Sequence, residues 1–208
     1  MSDAVRNLQI KIGGVGSDGA FGPRTARAIA RHYGLSPERG AHLMGQASHE
    51  SGGFKLTRES LYYSTPERIQ AVWPTRFETI ADAEPYAKNP AGLAGKVYNG
   101  RMGNKTESEA ALFTGRGFLQ LTGKNNYRAF ASDMRLPEIM TNPDAVATDY
   151  AFETAQWFFN KNGLFKIADL GVNDETIKRI TRRVNGGYHG LEDRTEQTNK
   201  IHSWLMEA

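Results

Sequence analysis

A capping residue followed at once by proline recurs along this chain, at Ser36-Pro37, Thr65-Pro66, Asn89-Pro90 and Asn142-Pro143, with Gly22-Pro23 as a looser case. A Ser, Thr or Asn side chain accepts a hydrogen bond from the orphan amides of a helix's first turn. Proline at the next position has its φ preset and needs no donor there. Each step therefore predicts a helix start. Stops are equally legible: Gly34, Gly52-Gly53 and Gly163 each follow a helix-like run and tolerate the left-handed conformation that ends helices. Between them Ala151, Phe152, Ala155, Phe158 and Phe159 recur at helical spacing, as do Ile177, Ile180 and Val184. No run alternates with period two. The pattern predicts an all-α fold of about eight to ten short helices, with long polar loops around 74–90 and 99–115 and a brief extended stretch at 117–121.

With 39% hydrophobic and 24% charged residues among 208, a packed core is within reach. Cysteine is absent, which excludes disulfide scaffolds, thiolate zinc sites and thiol nucleophiles. The net charge of +3 is a mild bias towards anionic polymers, too weak to argue for nucleic acid. The N-terminal stretch lacks the basic and apolar regions of a signal peptide, and no apolar run could span a membrane. The expectation is synthesis in the cytoplasm.

The one candidate boundary lies near residue 34. Residues 1–33 read as helix, glycine-rich turn, helix, and the turn Asp18–Thr25 resembles that of the small helical peptidoglycan-binding repeat. They form either a small accessory lobe or the start of the main domain, which otherwise spans 34–208.

Chemistry concentrates in three stretches. In QASHESGGFKLTRESLYY, Glu50 ends a helix beside Leu43, Met44 and Ala47. Apolar surroundings favour the protonated carboxyl that a general acid needs. Glu59 lies nine residues on. In a continuous helix that is roughly 13.5 Å and two and a half turns, on opposite faces. The Ser51-Gly52-Gly53 break lets the chain turn back, so the pair could flank one cleft at the roughly 6.5–9.5 Å of an inverting glycosidase. An ion pair of Glu59 with Lys55 or Arg58 is the plain alternative. The second stretch, TGRGFLQLTGKNNY, combines glycines with Gln120, Thr122, Asn126 and Tyr127, groups suited to sugar hydroxyls and acetamides. The third, IKRITRRVNGG, has a buried Ile177, Ile180, Val184 stripe, an arginine face and Asn185 at its stop.

HESGGF, the following ES with YYS, VYNGRMGN, GRGFLQLTG and ITRRVNGG occur in this order. Together they resemble the bacteriophage endolysins of the glycoside hydrolase family 19 type, relatives of family 19 chitinases with a lysozyme-like helical core and a central cleft. That resemblance implies Glu50 as general acid, Glu59 as general base activating a water, and Thr122 as the hydroxyl holding that water. It implies sugar contacts at Gln120, Asn126, Tyr127 and Asn185, with Arg116 orienting a carboxylate. It further implies a peptidoglycan glycosidase, with no cofactor or metal, that acts as a monomer on the wall and depends on a holin or similar partner for access. Alternatives are a chitinase, a lytic transglycosylase using Glu50 alone, and a wall-binding module without activity. A zinc amidase would need a ligand set; His42 and His49 share a helix face, but no HExxH is present.

Overall fold

The computed structural model describes residues 2–207, all of them helical or in turns and loops apart from two isolated β-bridges, Arg58 to Arg116 and Arg116 to Leu121. The chain forms two compact units. One comprises residues 1–57, 117–119 and 146–208, and the other residues 58–116 and 120–145.

The first unit opens with α1 (Asp3–Ile12), α2 (Pro23–His32) and α3 (Pro37–Glu50). The second holds α4 (Pro66–Val72), α5 (Ile80–Ala83), α6 (Pro90–Tyr98), α7 (Glu107–Leu112) and α8 (Lys124–Met134), with 3-10 turns at Glu84–Tyr86 and Pro137–Met140. After the single turn of α9 (Ala145–Thr148), the chain completes the first unit with α10 (Ala151–Lys161), α11 (Leu164–Ala168), α12 (Asp174–Asn185) and α13 (Leu191–Met206).

The cap-proline steps start helices in four of five places. Ser36, Thr65 and Asn89 accept from the backbone N–H of Arg39, Arg68 and Gly92, and α2 begins at Pro23 without a side-chain cap. Asn142-Pro143 is the exception. It makes a turn, and α9 starts only at Ala145, whose N–H reaches the Asn142 carbonyl at 3.3 Å. The adjoining Asp144 carboxylate is taken by Arg58 and Arg116. The helix count also exceeds expectation, because the two polar stretches contain helices of their own. Thr79 and Asp82 form a capping box that starts α5, and Thr106 caps α7 on the Glu109 N–H. Residues 117–121 are a tight turn rather than an extended stretch, closed by paired hydrogen bonds between Arg116 and Leu121 at 2.7 and 3.1 Å.

In the first unit, Val5, Leu8, Ala26 and Ile29 share one core with Leu43, Met44 and Ala47 of α3, Phe152 and Phe159 of α10, and Ile201 and Leu205 of α13. Residues 1–33 thus supply part of that core. α3 and α13 pack tightly at Gly45, where a Cβ would stand 2.3 Å from Thr198 Oγ1 and 2.9 Å from its Cα. Only a residue without a side chain fits there. The second unit has its own core of Leu61, Ile69, Phe77, Leu93 and Val97, and Phe113, Tyr127, Phe130 and Ile139 are buried as well.

Candidate active site

In the first unit, α3 delivers Glu50 on its last residue. Three successive left-handed residues follow the Ser51 cap, Gly52 (φ 59°), Gly53 (φ 76°) and Phe54 (φ 63°), and they end the helix direction abruptly. Two glycines make this affordable; Phe54 is fixed by burial, by its N–H on Ser51 Oγ at 2.9 Å and by its carbonyl on Ser2 Oγ at 2.5 Å.

Glu50 does not rest on apolar groups alone, as its neighbours in sequence suggested. Its Oε1 accepts from Nη2 of Arg194, a guanidinium that is 1% exposed. Arg194 also donates to Gln46 Oε1 at 2.6 Å and to the His189 carbonyl at 3.0 Å, and Gln46 passes the chain on to Thr181 at 3.0 Å. Such a buried cation survives because every face of its fork is met. Sequence reasoning missed Arg194, since an arginine in LEDRTEQ on an amphipathic helix looks like surface.

Asn185 turns its side chain inward on its own loop: Nδ2 donates to the His189 carbonyl at 3.0 Å and Oδ1 accepts from Gly187 N–H at 2.8 Å. It therefore shares with Arg194 the carbonyl of His189. His49 meets Asp193 at 2.5 Å through Nδ1, and that contact holds the Asp193 carboxyl below the usual range.

In the second unit, Glu59 is not ion-paired with Arg58, whose guanidinium goes to Asp144. Its Oε2 accepts from the Tyr98 hydroxyl at 2.7 Å and its Oε1 from the Gly115 N–H. Its own N–H donates to the Gly115 carbonyl at 3.0 Å. Burial, and then the neighbouring Glu59 charge, push the Tyr98 hydroxyl well above its ordinary pKa. Tyr98 went unnoticed in VYNGRMGN, where nothing but its place six residues before Asn104 marks it.

Gly115 is the point on which three expected residues converge. A Cβ there would lie 2.6 Å from Gln120 Oε1, 3.1 Å from Thr122 Oγ1 and 3.2 Å from the Glu59 carboxyl carbon. Gln120 is set in this position by a left-handed backbone (φ 48°), uncommon outside glycine and a mark of local constraint. The Thr122 hydroxyl donates to the Gln120 carbonyl at 3.0 Å.

Arg116 and Tyr127 lie behind this cluster. Arg116 is 8% exposed; it reaches Asp144 at 2.8 Å, the carbonyls of Leu112 and Thr114, and the Tyr127 hydroxyl at 3.1 Å. The carboxylate it orients is one of this chain's own. Tyr127 is fully buried, its hydroxyl donates to the Thr114 carbonyl at 2.8 Å, and burial pushes its pKa up to about 12. Both residues support the backbone that carries Gly115 rather than offering a face to a ligand. Asn126 is exposed and donates to the Thr122 carbonyl at 2.8 Å.

Each unit thus holds one glutamate whose carboxylate is fixed by hydrogen bonds, Glu50 by Arg194 and Glu59 by Tyr98 and Gly115. No family model matches the chain. A glycosyl hydrolase family 19 domain-containing protein of Haemophilus influenzae is 31% identical over 160 residues, 74% of each chain. An endochitinase of Arabidopsis thaliana is 38% identical over 77 residues, 36% of this chain and 25% of its own length. Chitinase 8 of Oryza sativa subsp. japonica is 45% identical over 49 residues, 23% and 18% of the two chains. The chain belongs to glycosyl hydrolase family 19, whose fold is lysozyme-like and mostly helical. No helix among the described residues is long and apolar enough to cross a membrane.

Proposed function

We propose that this protein hydrolyses the β-1,4 bonds of peptidoglycan glycan strands by a single inverting displacement, as the endolysin of a bacteriophage. The observation that carries the reading is the setting of Glu59. Its carboxylate is held by Tyr98 and Gly115, next to a threonine hydroxyl whose proton is already committed to a carbonyl. A carboxylate fixed in one orientation, beside an oxygen able to accept, suits a base that aligns one water.

In this reading Glu50 protonates the departing glycosidic oxygen while Arg194 fixes the orientation of its carboxyl. Glu59 takes a proton from water as that water attacks the opposite face of the sugar, and Thr122 holds the water in line. Peptidoglycan is favoured over other glycans by the ordered HESGGF, GRGFLQLTG and NGG motifs and by the +3 charge, which suits an anionic wall. Synthesis in the host cytoplasm and release to the wall through a holin follow from the same role. The substrate named for the plant relatives supports a second reading, hydrolysis of N-acetylglucosamine polymers.

Purified Glu50→Gln and Glu59→Gln variants, assayed on isolated sacculi, test the proposal. Both should fold normally, and the solubilisation rate should fall about a hundredfold or more with Glu50→Gln. Wild-type rates in Glu50→Gln would end it. Turnover of chitooligosaccharides with no action on sacculi would transfer the assignment to the second reading.

A further inference from the structure

The first unit contains a pocket of about 500 Å³ that the mechanism does not use. Four parts of the chain line it: Ser2, the Gly19–Phe21 turn, the residues flanking Glu50 and Ser51 as far as Lys55, and α13 from Asp193 to Trp204.

The turn is a built wall. Gln9, 1% exposed, accepts from the Gly19 N–H at 2.8 Å and donates to Asp18 Oδ1 and the Ala20 carbonyl at 2.9 and 3.0 Å. Held this way, the turn places Phe21 against Phe54 (centroids 4.1 Å apart) and near Trp204 (6.2 Å). Phe21 and Trp204 are only half-buried, so ring surface faces the pocket. Two lysines and one aspartate, Asp193, line it. Lys55 is exposed, and Lys200 lies 5.3 Å over the Trp204 ring. The lining carboxylate, Asp193, is engaged by His49 Nδ1 at 2.5 Å and by Gln197 Nε2 at 3.3 Å, which leaves the two ammonium groups as the charges open to a ligand.

An aromatic surface flanked by two ammonium groups matches a ligand with a sugar or aliphatic face next to a carboxylate. A homopolymer of N-acetylglucosamine carries no carboxylate. Peptidoglycan does, on the peptide attached to each muramyl residue. We propose that this pocket binds the peptide-bearing muramyl residue of the wall, with its carbon face on Phe21 and Trp204 and its stem carboxylates on Lys55 and Lys200. The inference rests on the peptidoglycan reading above. It adds a subsite that selects the wall polymer over chitin and seats it within one helical turn of Glu50.

The test is calorimetric titration of the full-length Glu50→Gln variant with a purified disaccharide-tetrapeptide and with chitotetraose, followed in parallel by the Trp204 indole N–H resonance. The muropeptide should bind on the order of tenfold more tightly than chitotetraose and move the Trp204 signal. Adding Lys55→Ala and Lys200→Ala should weaken muropeptide binding on the order of tenfold or more. Adding Arg182→Ala and Arg183→Ala, which remove the same charge from exposed positions of α12, should leave it unchanged. Equal losses from both double substitutions would reduce the effect to net charge and overturn the proposal. So would muropeptide affinity insensitive to the lysines, or an unmoved Trp204 resonance. Failure of the wild type to solubilise sacculi would instead defeat the peptidoglycan reading itself; active solubilisation with lysine-independent binding defeats only this subsite.

Discussion

Arg194, fully buried, ties Glu50, Gln46 and the His189 carbonyl together through three hydrogen bonds. Replacing it with methionine keeps the volume but leaves Glu50, Gln46 and the His189 carbonyl without their donor. The expected cost is about 3 kcal/mol, read from urea unfolding, together with a loss of activity. Tyr98→Phe is the matching change in the second unit. It deletes the 2.7 Å hydrogen bond to Glu59 while keeping the ring, so stability should change by about 1 kcal/mol. Activity should drop by roughly tenfold, since the base then loses one of the donors that orient it; an unchanged kcat would remove Tyr98 from the account. Asp144 supplies a pH test. Arg58 first, then Arg116, hold its carboxyl below the ordinary aspartate value. A depressed folded pKa adds stability that is present above the unfolded value of about 3.9 and is lost as pH falls through the folded one. Asp144→Asn should therefore flatten the acid limb of the stability curve below about pH 4, with the wild type and variant converging in acid.

At the scale of the helices, glycine at position 45 sets the spacing of α3 and α13. Gly45→Ala puts a methyl 2.3 Å from Thr198 Oγ1 and 2.9 Å from its Cα. Backbone as well as side chain is in the way, so the expected destabilisation is about 1–3 kcal/mol and a Thr198→Ala partner should rescue only part of it, measured by thermal melts. Helix starts were legible wherever a cap preceded proline, because that pair satisfies an amide and presets a dihedral with no help from the rest of the fold. The helices at 80–83 and 107–112, four and six residues long, were too short to show a period, although Thr79-x-x-Asp82 and Thr106-x-x-Glu109 have the capping-box spacing. In the candidate site, Glu50, Glu59, Gln120 and Thr122 were chosen from residue type and order, and the structure brings Glu59, Gln120 and Thr122 together around Gly115. What was not readable was which neighbour each would meet. Arg194 is 144 residues from Glu50 and Tyr98 is 39 from Glu59; pairings of that separation are set by tertiary packing and leave no periodicity. For the same reason the sequence marked Tyr127 as a sugar contact and gave Arg116 a carboxylate without saying which, whereas the structure buries Tyr127 and sets Arg116 on Asp144.

At the scale of the molecule, the first unit is assembled from both ends of the chain. Val5, Leu8, Ala26 and Ile29 are buried with α3, α10 and α13, each large side chain contributing about 1.5–3 kcal/mol. Removing residues 1–33 should cost about 5 kcal/mol or more, comparable to the whole stability of a domain, and should leave residues 34–208 unfolded or binding hydrophobic dyes. A truncated chain with the wild-type melting temperature would make that segment an independent lobe. The central claim concerns chemistry, and it is tested most directly by the configuration of the sugar carbon at the moment of cleavage. Proton NMR during digestion of soluble glycan strands by the wild-type protein should show the α-anomer appearing first, with new reducing ends. A β-anomer as the first product, or 1,6-anhydro ends, would contradict a water delivered by Glu59 to the face opposite Glu50.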